Sequence, residues 1–178
     1  MREAIAPHVS QVAGFIAQRL REGGRRVGFR AALLEGRFPP PEAKLKPGMD
    51  DVFILDGQHS AAALEKAILR VEQRLETPDI KLVLLDEIGG IELTSPVFMS
   101  ALERILRGQT PCFGVFKSRE NLGRAAANLK LSSGHTALHA RLEEKILSGG
   151  EIITISEQNR EKTLMRVKKA AAKIFSNP

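Results

Sequence analysis

Two adjacent carboxylates, Asp86 and Glu87, directly follow the apolar run from Leu82 to Leu85. Such a run indicates a buried β-strand, and in an open α/β sheet ligands bind beyond the carboxyl ends of the strands. An Asp placed there can hold a magnesium ion, usually through water, while a neighbouring Glu can orient or deprotonate a water that attacks a phosphate. The alternative for an isolated pair is structural: the carboxylates cap the next helix or solvate the end of the sheet.

A phosphate-binding loop would be the other half of such a site. P-loop nucleotide hydrolases combine an apolar strand ending in acidic residues, the Walker B motif, with a G-x-x-x-x-G-K-[ST] loop that cradles the phosphates. No Gly in the 178 residues is followed by Lys, so that loop cannot be written anywhere in this sequence. The sequence therefore contains the metal and water side of a nucleotide site without the phosphate cradle.

Composition favours an anionic partner. The chain has 27 Lys and Arg against 21 Asp and Glu, a net charge of +6, which suits nucleotides or phosphates. It has no Tyr or Trp for stacking bases, so we expect no nucleic-acid partner. A single cysteine, Cys112, cannot form an intramolecular disulfide, and no apolar run approaches the about 20 residues that span a bilayer. We therefore expect one cytoplasmic domain, residues 1–178, with no membrane association.

The hydrophobic pattern predicts strands that alternate with helices. In chain order, we expect a hairpin from Gln11 to Leu34 turning at Glu22-Gly23-Gly24, a Pro-rich loop at 38–47, a strand at Val52–Leu55, a helix after Ser60, a strand at Lys81–Leu85, a helix from Ser95-Pro96 to Gly108, a strand at Cys112–Phe116, helical structure over 119–147 with a break near 132–134, a last strand at Glu151–Ile155 and a helix from Ser156. This alternation predicts a mostly parallel sheet with helices on both faces.

Three blocks of sequence resemble one known family. The stretch from Asp86 to Leu93, followed by Ser95-Pro96, closely resembles the Asp-Glu-Ile-Gly-x-Met-Glu-Leu motif of the small nucleoside-triphosphatases of archaea, bacteria and humans. Residues 12–15 and 21–29 are similar to the hairpin after that family's first helix, and residues 154–156 with Asn159-Arg160 are similar to its final strand and helix entrance. The resemblance covers most of the chain apart from residues 117–150, which are longer than the family's usual connection.

The resemblance implies a RecA-like P-loop NTPase fold, a three-layer sandwich around a mostly parallel sheet. It implies hydrolysis of ATP, GTP and other nucleoside triphosphates with magnesium. By matching positions, Asp86 would be the magnesium-side carboxylate, Glu87 the catalytic base and Glu92 a supporting acid. The chain departs from the motif at Gly90 and Ile91, where family members often have Lys and Met.

The start of the chain departs further from the family pattern. Family members begin with a strand, the phosphate loop and a helix, whereas only residues 1–11 precede the hairpin here. We therefore expect an N-terminally truncated domain that lacks the first strand and the phosphate loop and is inactive or impaired, because losing one preorganised oxyanion donor costs about 3 kcal/mol. The exposed sheet edge would permit self-association. The alternative is a non-hydrolytic binding or adaptor protein derived from this fold.

Basic and histidine residues offer further candidates. Arg25 and Arg26 lie at the hairpin turn and could bind nucleotide phosphate as an arginine finger does, or could simply be solvated. His135 and His139 are spaced to share a helical face, but without a clear third ligand we expect surface or packing roles rather than a zinc site. We expect residues 118–150 to form a basic helical insertion that serves as a lid or as a docking surface.

Overall fold

The computed structural model describes residues 1–129 and 134–176, which fold as a mixed α/β structure. The strands are β1 Val12–Glu22, β2 Arg25–Leu33, β3 Glu42–Lys44, β4 Val52–Leu55, β5 Gln58–His59, β6 Leu82–Ile88 and β7 Cys112–Phe116. The α-helices are α1 Arg2–Ile5, α2 Ala62–Leu75, α3 Pro96–Arg107, α4 Arg119–Leu129, α5 Gly134–Gly149 and α6 Arg160–Ser176. Short 3₁₀ segments, Ala6–Gln11 and Ile91–Thr94, lead into β1 and α3.

The predicted hairpin is confirmed as β1 and β2. The two strands pair antiparallel from Glu22 opposite Arg25 to Phe15 opposite Leu33. Gly23 and Gly24 close the turn with φ values of 55° and 79°, a left-handed conformation that glycine adopts without steric cost.

The sheet is mixed rather than mostly parallel, so that prediction is wrong. Its strand order is β5-β4-β2-β1-β6-β7, with β3 added alongside β1. Within the described residues, β1 pairs parallel with β3 and β6, and β6 pairs parallel with β7. The β1–β2, β2–β4 and β4–β5 pairs are antiparallel. The connections explain part of the difference, because two-residue turns join β1 to β2 and β4 to β5 as antiparallel neighbours, whereas parallel neighbours need long crossovers.

Strand β3 lies inside the Pro-rich segment that the sequence predicted to be a loop. It continues the edge of β1 beyond the end of β6, pairing Glu42 with Arg19. The buried amide of Gln18 donates a 2.6 Å hydrogen bond to the carbonyl of Pro40, which holds this segment against the sheet.

Apolar side chains on the two faces of β1 and β6 form two separate clusters. On one face Phe15 and Leu85 pack with residues of α2, α3 and α5. On the other face Val12 and Leu84 pack with residues of α1 and α6. Because side chains alternate along a strand, Asp86 falls on the face of Leu84. The alternation is interrupted after Asp86, where the pairing of β6 with β7 shifts register and Ile88 packs in the cluster of Leu85.

The predicted last strand is not formed. Residues 151–156 have no regular secondary structure, and the following helix begins at Arg160 instead of Ser156. Asn159 explains the difference, because its side chain accepts a hydrogen bond from the Ser156 amide at 2.8 Å and donates one to the Thr154 carbonyl at 2.9 Å. These bonds occupy backbone groups that a sheet ladder would use.

The predicted helical segment after β7 is present as α4 and α5. The break expected near residues 132–134 falls largely outside the described residues. Helix α4 ends beside β5, where the ring of His59 lies 3.1 Å from the carbonyl oxygen of Leu129. Among the described helices none is long and apolar enough to cross a bilayer.

Candidate active site

Strand β6 delivers the two carboxylates to the carboxyl end of the parallel part of the sheet. Leu82 to Leu85 are fully buried, and Asp86 lies between Ile16 of β1 and Val115 of β7. Asp86 and Glu87 are half-buried residues near the end of β6, which continues to Ile88, and the peptide bond between them is cis. The sequence therefore predicted the place of the pair and missed only that it belongs to β6.

Asp86 carries a charge that its surroundings compensate poorly. Strand alternation places its side chain on the face of Leu84, toward α1 and α6. Burial raises the pKa of Asp86, the neighbouring charge of Glu87 raises it further, and the amino terminus at Met1 opposes both to a smaller extent. A cation beside this carboxylate would relieve the cost of its ionisation.

Glu87 has a different environment because it forms an ion pair. Its Oε1 lies 3.0 Å from Nζ of Lys117, the first residue after β7. The backbone amide of Lys117 donates to the carbonyl of Ile88 at 2.8 Å, which ties the end of β7 to the end of β6. The two adjacent carboxylates are thus distinguished by their partners.

Glu92 is buried and holds the turn after β6. Only 3% of it is exposed, and its Oε1 accepts hydrogen bonds from the amides of Gly89 at 2.5 Å and Gly90 at 2.8 Å. Burial raises the pKa of Glu92, opposed by these amide bonds and by the charge of Lys117. Its contacts are those of a residue that fixes the loop beside Glu87.

Gly89 lies where no side chain fits. Its φ is 97°, and a Cβ there would be 2.9 Å from the ring of Phe116. The ring of His139, on α5, stacks on the Phe116 ring, and the same Cβ at Gly89 would be 3.3 Å from it. Helix α5 therefore packs directly on the turn that carries the candidate site.

The chain matches known proteins through this same region. A family model described as NTPase matches residues 2–168. The chain belongs to this NTPase family. A nucleoside-triphosphatase of Methanocaldococcus jannaschii is 24% identical over 157 residues, covering 85% of this chain and 75% of that protein. A nucleoside-triphosphatase of Methanopyrus kandleri is 30% identical over 118 residues, covering 61% of this chain and 58% of that protein.

A human relative is also similar. The cancer-related nucleoside-triphosphatase of Homo sapiens is 33% identical over 101 residues, covering 53% of each chain. Several matches therefore span little more than half the length of the relatives concerned. No solved structure gives a significant match. The predicted resemblance to the small nucleoside-triphosphatases is confirmed.

Arg25 and Arg26 are not brought to the carboxylates of this NTPase-family chain. Ile16 of β1 is the pairing partner of Asp86, and six residues separate it from Glu22, where β1 ends. At 3.4 Å per residue, the hairpin turn therefore lies about 20 Å from Asp86 along the strand. Arg25 lies 3.7 Å from a carboxylate oxygen of Asp56, and Arg26 lies over the ring of Phe29 at 5.5 Å. Their binding of phosphate remains a prediction.

Two surface clefts lie away from the carboxylates. One has a volume of about 470 Å³ and another about 320 Å³. The first is lined by Arg21, Gly23, Gly24, Glu42, Ala43 and Lys44. The second is lined by residues from Glu22 to Leu55. Asp86, Glu87 and Glu92 instead lie at the end of the sheet, outside both clefts.

Two residues that support the site, Lys117 and His139, are not predicted to do so from the sequence. Lys117 stands there only at the start of the long connection, residues 117–150, because nothing in a local pattern pairs it with an acid thirty residues earlier. His139 is 1% exposed, and its Nε2 lies 2.6 Å from the carbonyl oxygen of Lys117. The expected packing role of His139 is therefore correct, and the available signal was its place four residues after His135 on an apolar helix face.

The carboxylate of Asp86 fits a magnesium ion whose remaining ligands are waters and substrate phosphates. Magnesium prefers hard oxygen ligands and usually keeps several waters, with one or two carboxylates and substrate phosphates completing its shell. Asp86 provides an uncompensated carboxylate of this kind. In the described ranges no three His, Cys, Asp or Glu side chains are grouped to enclose a metal. Asp86 is thus the oxygen donor that would hold such an ion, with a phosphate and waters as the other ligands.

Proposed function

We propose that this chain acts as a nucleoside-triphosphatase, converting a nucleoside triphosphate to the diphosphate and phosphate with magnesium. The observation that carries the proposal is the unequal carboxylate pair, Asp86 and Glu87, directly after the fully buried residues 82–85 of β6. Membership of the NTPase family and similarity to proteins named nucleoside-triphosphatases support it. We propose a RecA-like P-loop fold for this domain.

Asp86 would hold the magnesium ion on the α1 and α6 side of β6. When bound, magnesium supplies positive charge that stabilises the phosphate oxygens during transfer. The poorly compensated charge of Asp86 suits this role, because the carboxylate gains more from a cation than a carboxylate that already has an ion-pair partner.

Glu87 would orient the attacking water and accept its proton. This role needs a carboxylate at the rim of the site, and the side chain of Glu87 is 35% exposed. Glu92 would act indirectly, since its bonds to the amides of Gly89 and Gly90 fix the turn that follows Glu87. As a supporting acid, Glu92 would thus position the turn beside Glu87 rather than contact the substrate.

We further propose that turnover by these 178 residues alone is impaired. The sequence contains no Gly-Lys pair and hence no phosphate loop of the usual pattern. Such a loop supplies several backbone amides and a lysine to the phosphates, and the loss of one preorganised donor typically costs about 3 kcal/mol of transition-state stabilisation.

The test compares this chain with a version preceded by a strand and a G-x-x-x-x-G-K-[ST] loop. Phosphate release from ATP and GTP is measured with magnesium and with EDTA. The proposal predicts magnesium-dependent release by the extended protein that far exceeds release by the 178 residues, and its loss in Glu87→Gln. A well-folded extended protein that binds nucleotide without turnover would instead support a non-hydrolytic binding or adaptor protein.

A further inference from the structure

Lys117 forms an ion pair with the candidate catalytic carboxylate of Glu87, and its backbone is fixed on both sides. Its amide is bonded to the Ile88 carbonyl at 2.8 Å, and its carbonyl oxygen lies 2.6 Å from Nε2 of His139. Its Nζ lies 3.0 Å from Oε1 of Glu87. The four-carbon stem is therefore the part of Lys117 that is free to change position, and lysine is the cationic side chain best suited to such movement.

The ammonium of Lys117 also lies close to Gly90 and the buried Glu92. A Cβ at Gly90 would be 3.5 Å from Cε and 3.7 Å from Nζ of Lys117, so the lysine stem passes over this glycine. The same Cβ would be 3.2 Å from Oε2 of Glu92. The ammonium thus pairs with Glu87 at the rim, and its charge also acts on the buried Glu92, so a cation is electrostatically favoured here.

We propose that Lys117 occupies the cation position of this carboxylate cluster in the nucleotide-free protein and transfers its ammonium to the terminal phosphate when a triphosphate binds. The transfer leaves Glu87 free to orient water. This inference rests on the proposed function and adds to it the residue that recognises the terminal phosphate from the β7 side.

Charge and exposure support the exchange. The side chains of Lys117 and Glu87 are 22% and 35% exposed, so the pair lies at a surface that an incoming ligand reaches. Part-exposed ion pairs contribute little net stability, so breaking this one costs little. A terminal phosphate carries more charge and more acceptor oxygens than one carboxylate, and charge-assisted bonds to it are strong.

The exchange has two electrostatic consequences of opposite sign. While Lys117 occupies the cluster, it repels a divalent cation that approaches Asp86 and Glu87 without phosphate. When a triphosphate is present, Lys117 attracts it. Removing the charge should therefore strengthen the binding of a free metal ion and weaken the binding of a free triphosphate.

The experiment measures both affinities by isothermal titration calorimetry on the full chain, using Mn²⁺ alone and inorganic triphosphate alone. Lys117→Met removes the charge and keeps a stem of similar length, whereas Lys117→Arg keeps the charge. Lys145→Met is the matched control, because Lys145 also pairs with a glutamate, Glu103, on helices α5 and α3. Circular dichroism at the titration temperature confirms that each variant is folded.

We expect Lys117→Met to bind Mn²⁺ more tightly than the wild type and to bind triphosphate about tenfold or more weakly, the loss typical of a charge-assisted bond. Lys117→Arg should retain triphosphate binding, and Lys145→Met should match the wild type for both ligands. A general structural defect would weaken the binding of Mn²⁺ and of triphosphate together, and that result would overturn the inference.

Two failures remain distinguishable. If the wild-type chain binds triphosphate and Lys117→Met binds it equally well, the inference is overturned and the proposed function stands. If the wild-type chain binds neither triphosphate nor Mn²⁺, the inference is overturned, whereas the proposed function is judged separately by the magnesium-dependent turnover of the loop-extended protein.

Discussion

The imidazole of His139 stacks on the ring of Phe116, with centroids 4.4 Å apart and planes inclined by 24°. Phe116 is the last residue of β7, and the same imidazole lies 2.6 Å from the carbonyl oxygen of the next residue, Lys117. Helix α5 therefore fixes the end of β7, one strand away from the carboxylates of β6. Within the described residues, the segment after β7 therefore supports the site through α5. Its role as a lid or docking surface stays a prediction.

His139→Phe should keep the stack and lose the hydrogen bond to the Lys117 carbonyl. A buried acceptor left without its donor typically costs about 1–3 kcal/mol. We therefore expect the free energy of unfolding, measured by urea denaturation, to fall by about this amount. His59→Phe is the control, because His59 makes a similar contact with the Leu129 carbonyl at an exposed position and its loss should stay within about 0.5 kcal/mol. Equal losses in the two variants would contradict this account of α5.

Gly89→Ala should destabilise the protein strongly. The residue has a φ of 97°, and the new Cβ would meet the Phe116 ring at 2.9 Å, so backbone strain and a clash add together. We expect a loss of about 2 kcal/mol or more in thermal or urea unfolding. Gly123→Ala, in α4 with open space around its Cβ, should instead stabilise by about 0.5–1 kcal/mol. A neutral Gly89→Ala would mean that the turn is not built as described.

Asp86→Asn should make the protein more stable at neutral pH. Burial and the charge of Glu87 raise the pKa of Asp86 above its ordinary value of 3.8, so the folded state holds the proton more tightly than the unfolded state. Ionisation of Asp86 therefore lowers stability as pH rises from that value through the folded pKa. At pH 7 we expect a gain of about 0.5–2 kcal/mol, the usual range for relieving such a cost.

The gain from Asp86→Asn should disappear as the pH falls below about 4, where both states are protonated. Urea denaturation of the wild type and the variant between pH 3.5 and 8 measures the difference directly. A difference that stays constant with pH, or an Asn variant that is less stable at pH 7, would show that Asp86 does not carry an uncompensated charge.

Glu92→Ala and Glu92→Gln should differ. Alanine leaves the amides of Gly89 and Gly90 without their acceptor in the interior, and we expect a loss of about 2–4 kcal/mol in urea unfolding. Glutamine keeps a carbonyl oxygen at the same place, so most of the stability should remain. If both variants unfold alike, Glu92 does not hold the turn through these bonds.

Several elements of the fold could be predicted from the sequence because short local patterns determine them. The glycine pair at the β1–β2 turn and the Ser95-Pro96 start of α3 act within a few residues, and Ser95 indeed accepts a hydrogen bond from the amide of Phe98 at 3.0 Å. The pattern predicted a strand at Glu151–Ile155 wrongly, because strand formation depends on a partner edge that the local sequence does not reveal. Instead, the side chain of Asn159 bonds the backbone at Thr154 and Ser156. Lys117 could not be assigned to Glu87 for the same reason, since their contact depends on the pairing of β6 with β7.

The predicted phosphate contact of Arg25 and Arg26 can be tested separately. Both residues lie at the far end of β1 from Asp86, with Arg25 beside Asp56. From this placement we expect the double variant Arg25→Ala with Arg26→Ala to change triphosphate affinity by less than about twofold, as for a weakly coupled surface charge. A tenfold loss in calorimetry would show that the hairpin reaches the nucleotide.

The central claim is that the Asp86–Glu87 pair serves hydrolysis of a nucleoside triphosphate. It is tested most directly by the rate of magnesium-dependent phosphate release in the loop-extended protein and in Glu87→Gln. Glu103→Gln is the control, because Glu103 is also paired with a lysine but lies on α3. The account predicts that Glu87→Gln loses about 10²–10⁴-fold in kcat while nucleotide binding persists, and that Glu103→Gln keeps the parent rate. A Glu87→Gln variant that turns over at the parent rate would contradict the account.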